Sequence, residues 1–143
     1  MPAVAVMYDE EAAKELKTKI ADLPTRVLCG MEGLTEAATL PEADIVVGAV
    51  VGMIGIRPTI EAVKAGKDIA IANKETLVTA GHIIIPLAKE HNVRLLPVDS
   101  EHSAIFQCLH GEEENEISRI LLTASGGPFR NYTKEMLKTV TPE

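Results

Sequence analysis

Short apolar runs at residues 3–7, 26–30, 45–47, 69–72, 93–98 and 117–123 alternate with stretches whose apolar residues recur at helical spacing. That alternation is the strongest constraint on the fold. Strands separated by helices pair in parallel, and the helices then cover the faces of the sheet. The pattern predicts helices over 9–20, 31–40, 58–65, 75–91, 103–109 and 133–140. In the first of these, Ala12, Ala13, Leu16 and Ile20 share one face, with Lys14, Glu15, Lys17 and Lys19 on the other. Pro58 suits a first turn and Gly66 a helix end. Gly81 and Pro86 are expected to bend or interrupt the long helix. The fold class read from the pattern is α/β, with a mainly parallel sheet carrying helices on both faces.

Composition narrows the function. With 143 residues, 46% of them hydrophobic and 24% charged, the chain has enough material for one core. A net charge of −7 and an aromatic content of 3%, without Trp, argue against a nucleic-acid partner. An anionic small substrate would need local positive charge, backbone amides or a metal ion. Cys29 and Cys108 stand apart with no zinc-like spacing, the usage of reduced cytosolic thiols. No signal peptide and no uncharged run of membrane-spanning length is visible, so the expected location is cytoplasmic, with no membrane partner.

Polar residues that can carry chemistry follow the strands. The run Leu95-Leu96-Pro97-Val98 ends in Asp99-Ser100-Glu101-His102. While the chain is extended, residues two apart project to the same side. Paired carboxylates at a sheet rim suit Mg²⁺ or Mn²⁺ rather than zinc. Equally, Asp99 or Ser100 caps the following helix, and Glu101 complements its dipole. His102 either orients Glu101 or serves as a core or cap residue, whereas His82, His91 and His110 read as helix-surface or loop residues.

Further rim candidates follow the other strands. Gly48, Gly52 and Gly55 either open the backbone to a ligand or allow a helix to pack tightly. Their spacing is not the dinucleotide fingerprint. Asn73 is a natural N-cap, and Glu75 a first-turn acid. Lys74 opposes the helix dipole unless it meets an anion or a carboxylate. Ser125-Gly126-Gly127 is either an anion nest or a plain turn, and the acidic stretch 111–116 a solvated connection.

Four motifs in this order carry a family resemblance. They are Gly52-Met53-Ile54-Gly55-Ile56-Arg57-Pro58-Thr59, Ala72-Asn73-Lys74-Glu75-Thr76-Leu77-Val78, Leu96-Pro97-Val98-Asp99-Ser100-Glu101-His102-Ser103-Ala104-Ile105-Phe106-Gln107 and Leu121-Leu122-Thr123-Ala124-Ser125-Gly126-Gly127-Pro128-Phe129-Arg130. Together they closely resemble the 1-deoxy-D-xylulose 5-phosphate reductoisomerase family along essentially the whole chain. The resemblance implies an NADPH- and divalent-metal-dependent enzyme. It converts 1-deoxy-D-xylulose 5-phosphate to 2-C-methyl-D-erythritol 4-phosphate in the non-mevalonate isoprenoid pathway, as a cytoplasmic homodimer when full length. By the same resemblance Asp99 and Glu101 are metal ligands, and Ser100 and Glu101 contact the sugar part of the substrate. Lys74 reaches the reacting oxygens, so that Lys74 and Glu101 are the catalytic pair. Asn73 and Glu75 face the NADPH side, and Ser125 helps hold the substrate phosphate. The alternative is a non-catalytic, doubly wound small-ligand-binding or regulatory module in which the acidic pair only caps a helix.

The resemblance also carries departures. The family's glycine-rich phosphate loop has no counterpart before Ala3, and neither the Trp-bearing loop nor the third metal carboxylate is found by Glu143. The chain is therefore expected to be a middle piece, inactive alone. Residues 1–98 would be the later part of a Rossmann-like NADPH-binding domain. Residues 99–143 would be the first strand and helix of a following α+β catalytic domain.

Overall fold

A computed structural model describes residues 1–112, 115–123 and 127–142. Its element order is β1 (Val4–Met7), α1 (Glu10–Lys19), β2 (Arg26–Cys29), α2 (Gly30–Ala38), β3 (Ile45–Gly48), a 3₁₀ turn (Gly52–Gly55), α3 (Ile56–Lys64), β4 (Asp68–Ile71), α4 (Lys74–Glu90), β5 (Leu95–Pro97) and α5 (Ser100–Leu109). A second 3₁₀ turn (Gly127–Phe129) and α6 (Lys134–Leu137) follow. By internal contacts the chain divides into two compact units, Met1–Cys108 and Leu109–Glu143.

In the first unit every strand pairing is parallel, as the alternation requires. The strands form two sheets rather than one, β1-β2 and β3-β4-β5. Helix ends follow local chemistry. Asp9 caps α1 by accepting from the Ala12 N–H at 2.8 Å. α3 ends in a paired turn: the Gly66 N–H donates to the Val63 carbonyl at 2.9 Å, and the Lys67 N–H to that of Ala62 at 3.0 Å. Gly66 has φ +73°, the left-handed conformation that this ending needs. α4 runs without interruption from Lys74 to Glu90 although Pro86 lies inside it. Pro86 and His82, the residue whose carbonyl it leaves unbonded, both lie on the exposed face, where water can satisfy that oxygen.

The core lies around β4, the central strand of its sheet. Ala62, Val63, Ile69, Ile71 and Ala88 are buried together with Ala38, and Leu77, Leu87, Val93 and Leu95 pack against them. Pro97 is tolerated in β5 because β5 is an edge strand, and the pairing passes on to the Val98 N–H, which donates to the Ile71 carbonyl at 2.9 Å.

Asp68 fixes the other end of this pairing. Its Oδ1 accepts from the Arg94 N–H and its Oδ2 from the Arg94 Nε, both at 2.8 Å. The guanidinium hydrogen bonds, together with the Arg94 N–H, hold the Asp68 carboxyl below its ordinary value near 3.8. A carboxyl depressed by folding stabilises the native state above its unfolded pKa and stops doing so as pH falls through its folded pKa. The thermal midpoint of the chain is expected to exceed that of Asp68→Asn at neutral pH. The gap should begin to narrow as pH falls below about 4 and vanish once pH passes the lower folded value; a gap that does not narrow would refute the assignment.

In the second unit Thr133 caps α6 by accepting from the Met136 N–H at 3.3 Å, and the rings of Phe129 and Tyr132 meet edge to face with centroids 5.3 Å apart. Two expectations fail here. The helix expected over 133–140 is only Lys134–Leu137. The strand expected over 117–123 does not form: Ile117, Ile120, Leu121 and Leu122 are exposed, and no described strand pairs with them. A parallel strand is defined by its neighbour, so apolar alternation alone does not make one. The anion nest proposed at Ser125, and part of the acidic stretch at Glu113 and Glu114, lie outside the described residues. Among the described residues no helix is long and apolar enough to cross a membrane.

Candidate functional site

Register brings the candidate residues to one edge. Gly48 stands opposite Ile71, and Ile71 opposite Pro97, so β3, β4 and β5 end side by side. The residues that follow these ends are the 49–55 turn, Asn73-Lys74-Glu75 and Asp99-Ser100-Glu101. This is the carboxyl edge at which parallel sheets bind ligands. Lys74 and Glu75 open α4, and Ser100 and Glu101 open α5; all four are exposed.

Asp99 is the most constrained of them. Its side chain is 14% exposed. Oδ2 accepts from the His102 backbone N–H at 3.1 Å, and the His102 ring Nδ1 lies 2.8 Å from Oδ1. Burial pushes the carboxyl up, but the His102 backbone and ring hydrogen bonds and the charges of His102 and Lys74 outweigh it, so the pKa lies below the ordinary range. The positive charge of Lys74, 25 positions away in the sequence, is the smallest of these contributions. The capping reading of Asp99 holds. His102 orients Asp99, not Glu101.

The premise that Asp99 and Glu101 share a side because the chain is extended does not hold. The backbone turns helical at Ser100, where residues two apart diverge around the axis. Among the described residues no three His, Cys, Asp or Glu side chains cluster as a metal site.

Asn73 behaves as the sequence does not suggest. It occupies the N-cap position of α4, yet its side chain makes no cap hydrogen bond. Its Nδ2 instead donates back to the carbonyls of Val50 and Gly52, the latter at 2.8 Å. The turn packs closely at Gly55: a Cβ there would lie 2.7 Å from Val50 Cγ2, so the Val50 side chain would have to move. The close-packing reading of the glycines is thus correct at residue 55. Nothing in the linear sequence signals these links across more than twenty positions.

A groove of about 570 Å³ lies elsewhere, at the ends of β1 and β2, lined by Tyr8, Lys17, Cys29, Met31 and Arg57 among others. It holds none of the residues above.

The family model for 1-deoxy-D-xylulose 5-phosphate reductoisomerase matches residues 1–81, and that for its C-terminal domain residues 95–143. A reductoisomerase of this name from Lachnoclostridium phytofermentans is 63% identical over 142 residues, covering 99% of this chain and 37% of its own length. The Zymomonas mobilis enzyme, solved in complex with NADPH, superposes with a TM-score of 0.84 at 42% identity, over 99% of this chain and 37% of that one. A DOX-P reductoisomerase solved with NADPH, fosmidomycin and magnesium gives 0.81 at 37% identity, over 98% and 37%. The chain thus spans a little over a third of the length of the relatives it matches.

Proposed function

The chain belongs to the 1-deoxy-D-xylulose 5-phosphate reductoisomerase family, and from that premise we propose that it supplies part of the cofactor and metal site of such an enzyme. The full-length protein converts 1-deoxy-D-xylulose 5-phosphate to 2-C-methyl-D-erythritol 4-phosphate with NADPH and Mg²⁺ or Mn²⁺, as a cytoplasmic homodimer. Residues 1–98 belong to the later part of its nucleotide-binding domain and residues 99–143 to the start of its catalytic domain.

The observation that carries this reading is the alignment of the ends of β3, β4 and β5, which brings Asn73-Lys74-Glu75 and Asp99-Ser100-Glu101 to one sheet edge. The residues fit the required groups. By residue type, Asp99 and Glu101 would offer the hard oxygen donors that Mg²⁺ and Mn²⁺ take. Asn73 keeps a buried Oδ1 with no partner among the described residues, an acceptor suited to an N–H or O–H donor of NADPH.

When bound, the metal polarises adjacent substrate oxygens and NADPH supplies the hydride. The residues of the chain prepare that chemistry. His102 fixes the Asp99 carboxylate through ring and backbone, so that it is already oriented as a ligand. Lys74 sets a fixed positive charge where negative charge develops on the reacting oxygens. Glu101 and Ser100, exposed in the first turn of α5, hold the sugar part of the substrate. Glu75 lies on the NADPH side with Asn73, and Ser125 holds the phosphate.

The test is substrate-dependent NADPH consumption by the full-length protein, expected only when a divalent ion is present and abolished by a chelator. No consumption with either metal would overturn the reading. The 143-residue chain alone is expected to turn nothing over. Turnover by it would show that residues outside this chain are dispensable.

A further inference from the structure

We propose that Asn73 is a positioning residue whose side-chain amide ties the turn after β3 to the start of α4 and so shapes the backbone that receives the cofactor. The cofactor half of this rests on the reading above; the tie itself does not.

Asn73 is 6% exposed. An asparagine at an N-cap ordinarily folds back so that its oxygen accepts from the first-turn amides. Here the amide nitrogen points to the preceding strand's turn. The backbone N–H groups of Ala72 and Asn73 both donate to the Gly48 carbonyl, at 3.0 and 2.9 Å. Nδ2 extends this link by donating to the carbonyls of Val50 and Gly52. The amide orientation is fixed chemically, since the reverse would set Oδ1 against two carbonyl oxygens. The turn also folds back closely: a Cβ on Gly55 would clash with Val50 and lie 3.8 Å from Asn73 Nδ2. Both donor hydrogens are thus spent on the turn, while Oδ1 remains a buried acceptor with no donor among the described residues.

The experiment has two arms. Amide hydrogen exchange is measured on the chain and on Asn73→Ser and Asn73→Asp. In Asn73→Ser, exchange over residues 50–55 is expected to rise about tenfold, the equivalent of one net hydrogen bond. The amides of β4 and β5 should keep their rates and show that the fold survives. In Asn73→Asp the introduced carboxyl can donate its O–H to one carbonyl when neutral, and repels both when ionised. Protection of the turn, corrected for intrinsic exchange, should therefore fall as pH rises through its pKa, while the wild type stays flat. A side chain that only fills space would show no such pH dependence. Unchanged exchange in Asn73→Ser, or a pH-independent turn in Asn73→Asp, would overturn the tie.

In the second arm, full-length Asn73→Ser is expected to raise KM for NADPH about tenfold, leaving KM for the sugar phosphate near its original value. A loosened turn with unchanged KM for NADPH would overturn the link to the cofactor. If the full-length wild type consumes no NADPH, the reading of the enzyme falls, and the exchange arm still decides the tie.

Discussion

Asp99→Asn in the full-length protein is expected to lower turnover on the order of 10²-fold or more, because Lewis-acid stabilisation by a bound metal supplies several kcal/mol. The substitution is chosen to separate the two roles of this residue. Asparagine is nearly isosteric and keeps an oxygen that can accept from the His102 N–H, so the start of α5 is retained. What it removes is the negative charge that His102 and Lys74 stabilise and a hard cation requires. Turnover measured against Mg²⁺ or Mn²⁺ concentration should show half-saturation moved to higher metal, while circular dichroism and the thermal midpoint stay near the wild type. A variant with unchanged metal dependence would leave Asp99 as a helix cap and nothing more.

The second large effect is on stability. Ile69→Ala is expected to destabilise the chain by about 2–5 kcal/mol, the range for removing a buried isoleucine and leaving a cavity. Ile69 is fully buried in the central strand β4. Among the described residues the buried apolar side chains larger than alanine are Pro58, Val63, Ile69, Ile71 and Ile84, so few neighbours can move in to fill the gap. A domain is typically stable by about 5–15 kcal/mol, and a loss of this size takes a large share of it. The denaturant midpoint of the chain reads the effect directly. Ile69→Val, which removes a single methylene, serves as the graded control at about 0.5–1.5 kcal/mol. A loss below about 1 kcal/mol for the alanine variant would show that β4 is not the centre of the core.

Much of the fold was legible because it rests on local chemistry. β1 through β5 fall on the apolar runs, and α1 through α5 on the helical periodicities, with ends shifted by a few residues. Asp99 and His102 meet because a cap and its partner are three residues apart, a spacing visible in the sequence. The family resemblance rested on such contiguous blocks, and the matched family models bear it out. Illegible were the features that depend on what lies alongside. The apolar run at 117–123 has the composition of a strand but no described neighbour to complete its hydrogen bonds. Pro86 has the composition of a helix breaker, yet it sits where solvent can take the freed carbonyl.

The sequence by itself determined the alternation of elements, the family, and which residue types follow each strand, since periodicity, capping and motif are written within a few positions. Only the tertiary structure decided that Lys74 and Asp99 follow neighbouring strand ends, and that Asn73 reaches back to Val50 and Gly52 instead of capping its own helix. The physical reason is register. Parallel pairing aligns Gly48, Ile71 and Pro97 and so fixes which strand ends become neighbours, and no local pattern encodes that alignment.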